Sequence, residues 1–379
     1  MAMFKDYTAT LHRLESKGRL RRLVPSAGVD FTSNDFLGFA NSQRLKSAAK
    51  SAVERGVPIG SGGSRLLRGN HPEHEALESE AASFFGAQKA LYFANGYLAN
   101  FALFSNLPSR SDLIVFDTLL HASARDGIVA SKARSVAVLH NDVNHFEAVV
   151  RNWREQGGKG RPWIAVESLY SMDGDKAPLA ELADVATRHN GLLVIDEAHA
   201  TAVLGDGGKG LASCLGSQEN FIILHACGKA LGISGALVTG PEVLISCLIN
   251  RARPFIYSTA PSPLIAALVR EALCMVSEEP ERRQSLERLV AFAGDEISRL
   301  LDISPEGTHI QPIFLGSISR ANTVAYALQR NGFDIRAIRP PTVPNGTARL
   351  RLSITLNVNE QRIAEMLTCL ARTLEETPV

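Results

Sequence analysis

The feature that most constrains this chain is a series of seven short apolar runs, at residues 90–93, 113–116, 136–139, 163–166, 192–195, 221–224 and 236–239. Most are separated by stretches of helical spacing, such as residues 179–189. Strands that are apolar along their whole length are buried on both faces, and helices between them are the connections that a parallel sheet requires. The pattern predicts an α/β fold whose large domain holds a mostly parallel seven-stranded sheet with helices on both sides. Ahead of it, Phe4, Tyr7, Leu11 and Leu14 recur at helical spacing and predict an amphipathic helix. A Gly/Ser-rich loop at 60–69 precedes a predicted helix at 72–85. The charged run 278–283 marks the exit from the large domain. Beyond it the spacing predicts a smaller α+β unit, with strands near 310–315, 334–338 and 348–355 and helices near 321–330 and 360–375. The expected organisation is an N-terminal helix and arm (1–45), a large domain (46–277) and a small C-terminal domain (278–379).

Composition removes several function classes. Of 379 residues, 45% are hydrophobic and 21% charged, which is enough apolar material for a sizeable core. The net charge of +1 gives no basic excess for nucleic acid. No run approaches the roughly 18 apolar residues of a membrane span. Lys5, Asp6, Arg13, Glu15, Lys17 and Arg19 interrupt any secretory signal core in residues 1–23. The five cysteines (214, 227, 247, 274 and 369) are odd in number and form no CxxC pair. Reduced thiols in a cytoplasmic protein are therefore expected, without a disulfide framework or a zinc site.

In open α/β sheets, ligands collect beyond the carboxyl ends of the strands. Four polar clusters fall at such ends. Asp196 follows run 192–195, with His199 three residues on. The pair lacks a third metal ligand at recognisable spacing, so no metal is expected. Asp196 could instead hold a protonated heterocycle nitrogen, or merely cap the next helix. Lys229, in His225-Ala226-Cys227-Gly228-Lys229-Ala230, follows run 221–224 among small residues, with Ile233, Ser234 and Gly235 behind it. Desolvation there would free its amine for Schiff-base chemistry. Asn95-Gly96-Tyr97 opens a helix after run 90–93, where backbone N–H groups suit a phosphate. His121, in His121-Ala122-Ser123, could stack on a flat ring, although a lone histidine is more often structural.

Further motifs extend this set along nearly the whole chain. They include SNDFLG at 33–38, GSGGSR at 60–65, GNH at 69–71, HND at 140–142, SMDGD at 171–175, DEAH at 196–199, GK at 228–229 and IYST at 256–259. With them the chain resembles the α-oxoamine synthases, fold-type I pyridoxal-phosphate enzymes. These acyltransferases join an amino acid to an acyl thioester with loss of carbon dioxide. IRPPTVP at 338–344 and GTARLRL at 346–352 are similar to the branch that condenses L-alanine with a pimeloyl thioester, on coenzyme A or acyl carrier protein, in biotin biosynthesis. A sibling using glycine or serine is one alternative. A non-catalytic subunit of the same fold is another, but such subunits lack the lysine.

The resemblance implies roles by position. Lys229 would hold the cofactor and act as the base at the amino-acid α-carbon. Asp196 would pair with the ring nitrogen, His121 would stack on the ring, and His199 would approach the ring hydroxyl. Gly96 and Tyr97 would bind the phosphate, with Ser171 beside the cofactor. Arg351 and Asn34 would meet the amino-acid carboxylate, while Thr342 and Arg21 would line the substrate pocket. Tyr257-Ser258-Thr259 implies a homodimer in which Thr259 reaches the partner's phosphate. Two positions depart from the pattern. Ala226 stands where the family carries a phosphate-binding Thr or Ser, and Ala200 where it carries Gly. His225, next to Ala226, is a candidate to supply the missing donor, as is a water.

Overall fold

The seven apolar runs form seven strands: β1 (Lys89–Phe93), β2 (Leu113–Asp117), β3 (Arg134–Val138), β4 (Pro162–Glu167), β5 (Leu192–Asp196), β6 (Phe221–Ala226) and β7 (Ala236–Gly240). This computed structural model describes residues 2–216 and 219–377. The strands make one sheet in the order β1-β7-β6-β5-β4-β2-β3. Within it β2 to β6 run parallel, whereas β7 is antiparallel to both of its neighbours. A parallel return would need a crossover of about a dozen residues. The link from β6 to β7, residues 227–235, is too short for one, so the chain turns straight back.

Side-chain alternation along the strands builds two cores, one per face. Leu91, Ile114, Trp163, Ala165, Val194, Ile222, Leu224 and Val238 join one apolar cluster. Leu113, Val115, Ile164, Val166, Leu193, Ile195 and Phe221 join the other. Residues two apart point to the same face, so each strand serves both layers. Six strands contain their expected runs and extend them by one or two residues, whereas β3 is shifted, starting at Arg134 rather than 136 and ending at Val138 rather than 139. It is an edge strand, and its exposed Arg134 and Ser135 carry no apolar signal.

Contacts divide the chain into two units, where the sequence reading drew three segments. The larger comprises Leu37–Ser171 and Asp175–Arg283, and contains the seven-stranded sheet. The smaller comprises the described residues up to Phe36, the triplet Met172–Gly174, and those from Gln284 onward. The residues at the expected outer bounds, Met1 and Val379, lie outside the described residues. In the smaller unit, Ile310–Gly316, Ala348–Ser353 and Ala337–Ile338 form an antiparallel sheet. The strand expected at 334–338 is split. Phe333–Asp334 pairs with Val29–Asp30, and only Ala337–Ile338 joins the three-stranded sheet. Helices Ile318–Arg330 and Glu360–Glu376 accompany these strands. The N-terminal helix forms at Lys5–Ser16, with Phe4, Tyr7 and Leu11 exposed.

Candidate active site

Strand parity decides which side chains meet beyond the sheet. Trp163 and Ala165 on β4, Leu192 and Val194 on β5, and Ile222 and Leu224 on β6 belong to one face. Continuing by two along each strand gives Glu167, Asp196 and Ala226, the terminal residues of the three strands. All three line one cavity of about 430 Å³, within the larger unit. Asn95, Gly96, Tyr97, Asn100, His121, Ser123, His199, Lys229, Ser234 and Gly235 also contribute to its walls.

Lys229 enters from the β6–β7 link, whose course is tightly held. Cys227 N–H donates to Gly235 O (3.0 Å), Ile233 N–H to Cys227 O (3.0 Å) and Gly232 N–H to Lys229 O (2.8 Å). Two glycines permit this path. Gly232 has φ +69°, and a Cβ there would lie 2.5 Å from Ala40 N. Gly235 has φ +131°, and a Cβ would lie 2.4 Å from the Tyr92 ring. Both conformations are strained for a residue with a side chain. Tyr92 Oη also donates to Ser234 O (3.0 Å), fixing the far end of the link.

Asp196 is 7% exposed, and both of its oxygens accept hydrogen bonds. Ala198 N–H donates to Oδ1 (2.9 Å) and Asn100 Nδ2 to Oδ2 (2.8 Å). Asn100 Nδ2 also reaches Ser123 Oγ (3.0 Å), which lies 2.7 Å from His121 Nδ1. Ser123 N–H donates to the same nitrogen (3.2 Å), so His121 caps the helix Ala122–Val129. A continuous polar line thus joins Asp196 to His121. Asn100 and Ser123 were not anticipated from sequence. The signal was a buried asparagine in the otherwise apolar first turns of Gly96–Asn106, one helical turn after Gly96.

Gly96 and Tyr97 form the first turn of that helix, whose N-cap Asn95 accepts from Leu98 N–H (2.9 Å). First-turn N–H groups lack intrahelical partners, and the helix dipole adds positive potential there. Tyr97 Oη donates to Asp126. His199 is buried in the cavity wall.

Glu167 is the second feature missed from sequence. It is 2% exposed, and it pairs in register with Asp196 on the adjacent strand. Its Oε2 accepts from Ser171 N–H (3.0 Å), while Oε1 is buried with no hydrogen-bond partner. Burial, then the charge of Asp196, pushes its carboxyl well above the usual carboxylate range.

The remaining predicted residues lie elsewhere. Ser171 is buried but does not line the cavity. Thr259 is exposed and bridges to Ser64. In the smaller unit, Arg351 donates to Asn34 Oδ1 (2.9 Å) and Ser353 Oγ (2.8 Å), and Arg21 to Thr342 Oγ1 (3.4 Å).

His225 is not the substitute donor that its position beside Ala226 suggested. Parity turns it to the other face of β6, where it sits between Thr201 Oγ1 (2.9 Å) and Thr239 Oγ1 (3.2 Å). Its ring stacks on Phe85 with centroids 3.6 Å apart. Burial drives its pKa down to about 3, so it is a neutral core side chain.

The parity that excludes His225 from the cavity sends Asp117 to the same side of the sheet, as the terminal residue of β2 after Leu113 and Val115. His140 Nδ1 contacts both Asp117 oxygens (3.0 Å each), and Nε2 contacts Asp175 Oδ2 (2.7 Å). Burial opposes a charge on His140, but the two carboxylates outweigh it and raise its pKa to about 10. Asp175 follows the Ser171–Gly174 turn, so this imidazolium holds one end of the SMDGD segment.

The chain matches the aminotransferase class I and II family over residues 26–370. It is 40% identical to an 8-amino-7-oxononanoate synthase of Anaeromyxobacter dehalogenans, over 98% of this chain and 96% of that protein. The same identity relates it to the 8-amino-7-oxononanoate synthase of Cellvibrio japonicus, over 92% and 87%. Among solved structures, the Francisella tularensis 8-amino-7-oxononanoate synthase superposes with a TM-score of 0.78 at 27% identity, covering 92% of this chain and 98% of that one. Serine palmitoyltransferase from S. paucimobilis shares the fold with a TM-score of 0.90 at 22% identity, over 99% and 98%. With its fold, its strand-end cavity and these relatives, the chain belongs to the class I and II aminotransferase family and, within it, to the 8-amino-7-oxononanoate synthases.

Proposed function

We propose that the protein condenses L-alanine with a pimeloyl thioester, releasing carbon dioxide and the free thiol and giving 8-amino-7-oxononanoate in biotin biosynthesis. The observation that carries this reading is the single cavity where Lys229, Asp196 and the N-terminus of helix Gly96–Asn106 meet. Its donor set suits pyridoxal phosphate. A helix N-terminus offers N–H groups to a phosphate dianion. A carboxylate fixed by two N–H donors suits a protonated ring nitrogen. A half-buried lysine on a held link suits a covalent anchor. When bound, pyridoxal phosphate supplies the sink for the electron pair left at the alanine α-carbon.

The chain's residues do the rest. Lys229 holds the cofactor and takes the proton from the alanine α-carbon through Nζ. Asp196, oriented by Asn100 and Ala198, keeps the proton on the ring nitrogen. His121 would lie against the ring, its orientation fixed by Ser123. His199 would approach the ring hydroxyl, while Ser171, outside the cavity lining, would stand behind Glu167, whose Oε2 accepts its N–H. Arg351, whose guanidinium is braced by Ser353 and Asn34, grips the amino-acid carboxylate in a planar fork. Arg21 and Thr342 meet the acyl substrate. The protein acts as a cytoplasmic homodimer in which Thr259, exposed on the larger unit, serves the partner's phosphate site.

Product mass spectrometry with alanine, glycine and serine, each against pimeloyl-CoA and pimeloyl-acyl carrier protein, tests this reading. The expected product is 8-amino-7-oxononanoate, formed with alanine, and the two thioesters identify the carrier. Preferential condensation with glycine or serine would overturn the alanine assignment. Sedimentation tests the dimer, which a fully active monomer would contradict.

A further inference from the structure

The proposed reaction leaves one buried acidic group in the cavity without a task. Glu167 ends β4 in register with Asp196, on the same face of the sheet. Its Oε2 is satisfied by Ser171 N–H, and its Oε1 is buried and unpartnered. A carboxylate in that state would forfeit hydration without recovering it through hydrogen bonds, whereas a neutral acid loses far less. The groups that face it are Asp196 on β5, Lys229 on the β6–β7 link, and Tyr170 beside Ser171, with His121 and His199 in the same cavity.

We propose that Glu167 is a positioning residue that rests as a neutral acid beside Asp196 and ionises as the pH rises, and so determines the pH at which the cofactor-bound Lys229 nitrogen gives up its proton. This rests on the cofactor reading above. The electrostatic argument is direct. With Glu167 neutral, Asp196 is the only anion on the strand ends of the cavity. When Glu167 ionises, a second negative charge appears near Lys229 and favours a proton on its nitrogen. The upward displacement of the Glu167 carboxyl by burial and by Asp196 agrees with this arrangement. Ionisation then falls in the range where the loaded enzyme is handled, rather than far below it.

The test is a pH titration of the visible absorbance of protein loaded with pyridoxal phosphate, comparing wild type with Glu167→Gln. Glutamine keeps the acceptor for Ser171 N–H but stays neutral at every pH. Wild type is expected to titrate broadly, because two coupled groups ionise together. Glu167→Gln is expected to titrate in one sharp step, its midpoint lower by about one pH unit. Glu167→Asp, which can still ionise, is expected to restore breadth, and it decides the matter if Glu167→Gln does not fold. An unmoved midpoint and breadth in Glu167→Gln, or a single sharp step in Glu167→Asp, would overturn the proposal and leave the cofactor reading intact. A wild-type protein that takes up no pyridoxal phosphate would overturn both.

Discussion

The two faces of the seven-stranded sheet treat buried ionisable groups in opposite ways. On the cavity face, Glu167 keeps an unpartnered oxygen beside Asp196, which accepts from two neutral N–H donors. On the other face, His225 is locked neutral between two hydroxyls, and His140 is locked charged between two carboxylates. Burial acts on all of them, so burial alone does not explain the contrast. Its source is whether the neighbours complete the group's hydrogen bonding. Where completion is full, as for the rings of His225 and His140, one protonation state is fixed. Where it is withheld, the group can still exchange protons, as chemistry requires.

This contrast breaks if cavity residues prove structural or if flank residues prove catalytic. The largest effect is expected at Lys229. Lys229→Ala should lower turnover by about 10⁴-fold or more, as loss of the proposed anchoring nucleophile and base implies. Thermal unfolding of the cofactor-free protein should barely change, and a collapse in stability there would erase the distinction. Asp196→Asn should retain cofactor but slow α-proton exchange by about 10³-fold, the scale of a lost electrostatic stabiliser. Near-wild-type exchange of the alanine α-deuteron, followed by NMR, would count against its role.

On the other face the expected cost is to stability. His140→Ala leaves Asp117 and Asp175 facing each other without a cation, at a cost of about 3 kcal/mol in denaturant titrations. The two histidines also predict opposite pH slopes. The folded pKa of His140, about 10, exceeds the ordinary 6.5. Its contribution is therefore complete below pH 6.5 and fades as pH rises toward 10. The folded pKa of His225, about 3, lies below that value. Between pH 6.5 and 3 the unfolded chain takes up a proton that the folded chain refuses, so stability falls as pH falls. Unfolding at several pH values for His140→Ala and His225→Gln should remove one slope each. A variant that retains its slope refutes the corresponding assignment.

The smallest effect belongs to Ala226, which lines the cavity without a hydroxyl. Ala226→Thr should tighten pyridoxal-phosphate binding by about fivefold, part of what a charge-assisted hydrogen bond contributes. Equal dissociation constants would show that a water or Ser234, whose residue also lines the cavity, already compensates.

These residues also show what the sequence could reveal. The strands were legible because burial on both faces demands uninterrupted apolar runs, and Lys229 and Asp196 were legible because they follow such runs. His225 was misjudged by adjacency, although alternation from Leu224 and Ala226 already turned it away. Glu167 ends a strand as Asp196 does, so the same rule could have singled it out. Asn100 offered only its polarity inside an apolar helix. Its partners Asp196 and Ser123 are distant in sequence, and only the packing of that helix over the strand ends brings them together. The split of the expected 334–338 strand was equally hidden, since its first half pairs with Val29–Asp30 near the other end of the chain.

The pinned link between β6 and β7 carries a lesson for anyone wishing to redesign the enzyme. Gly232 and Gly235 each abut another segment at a distance that leaves no room for a methyl group. A library randomised across residues 227–235 would therefore be expected to return glycine at both positions among its active members. Diversity aimed at new amino-acid or acyl substrates is better spent on wall positions such as Ser234 and Ala226, which change the chamber without moving the lysine that works inside it.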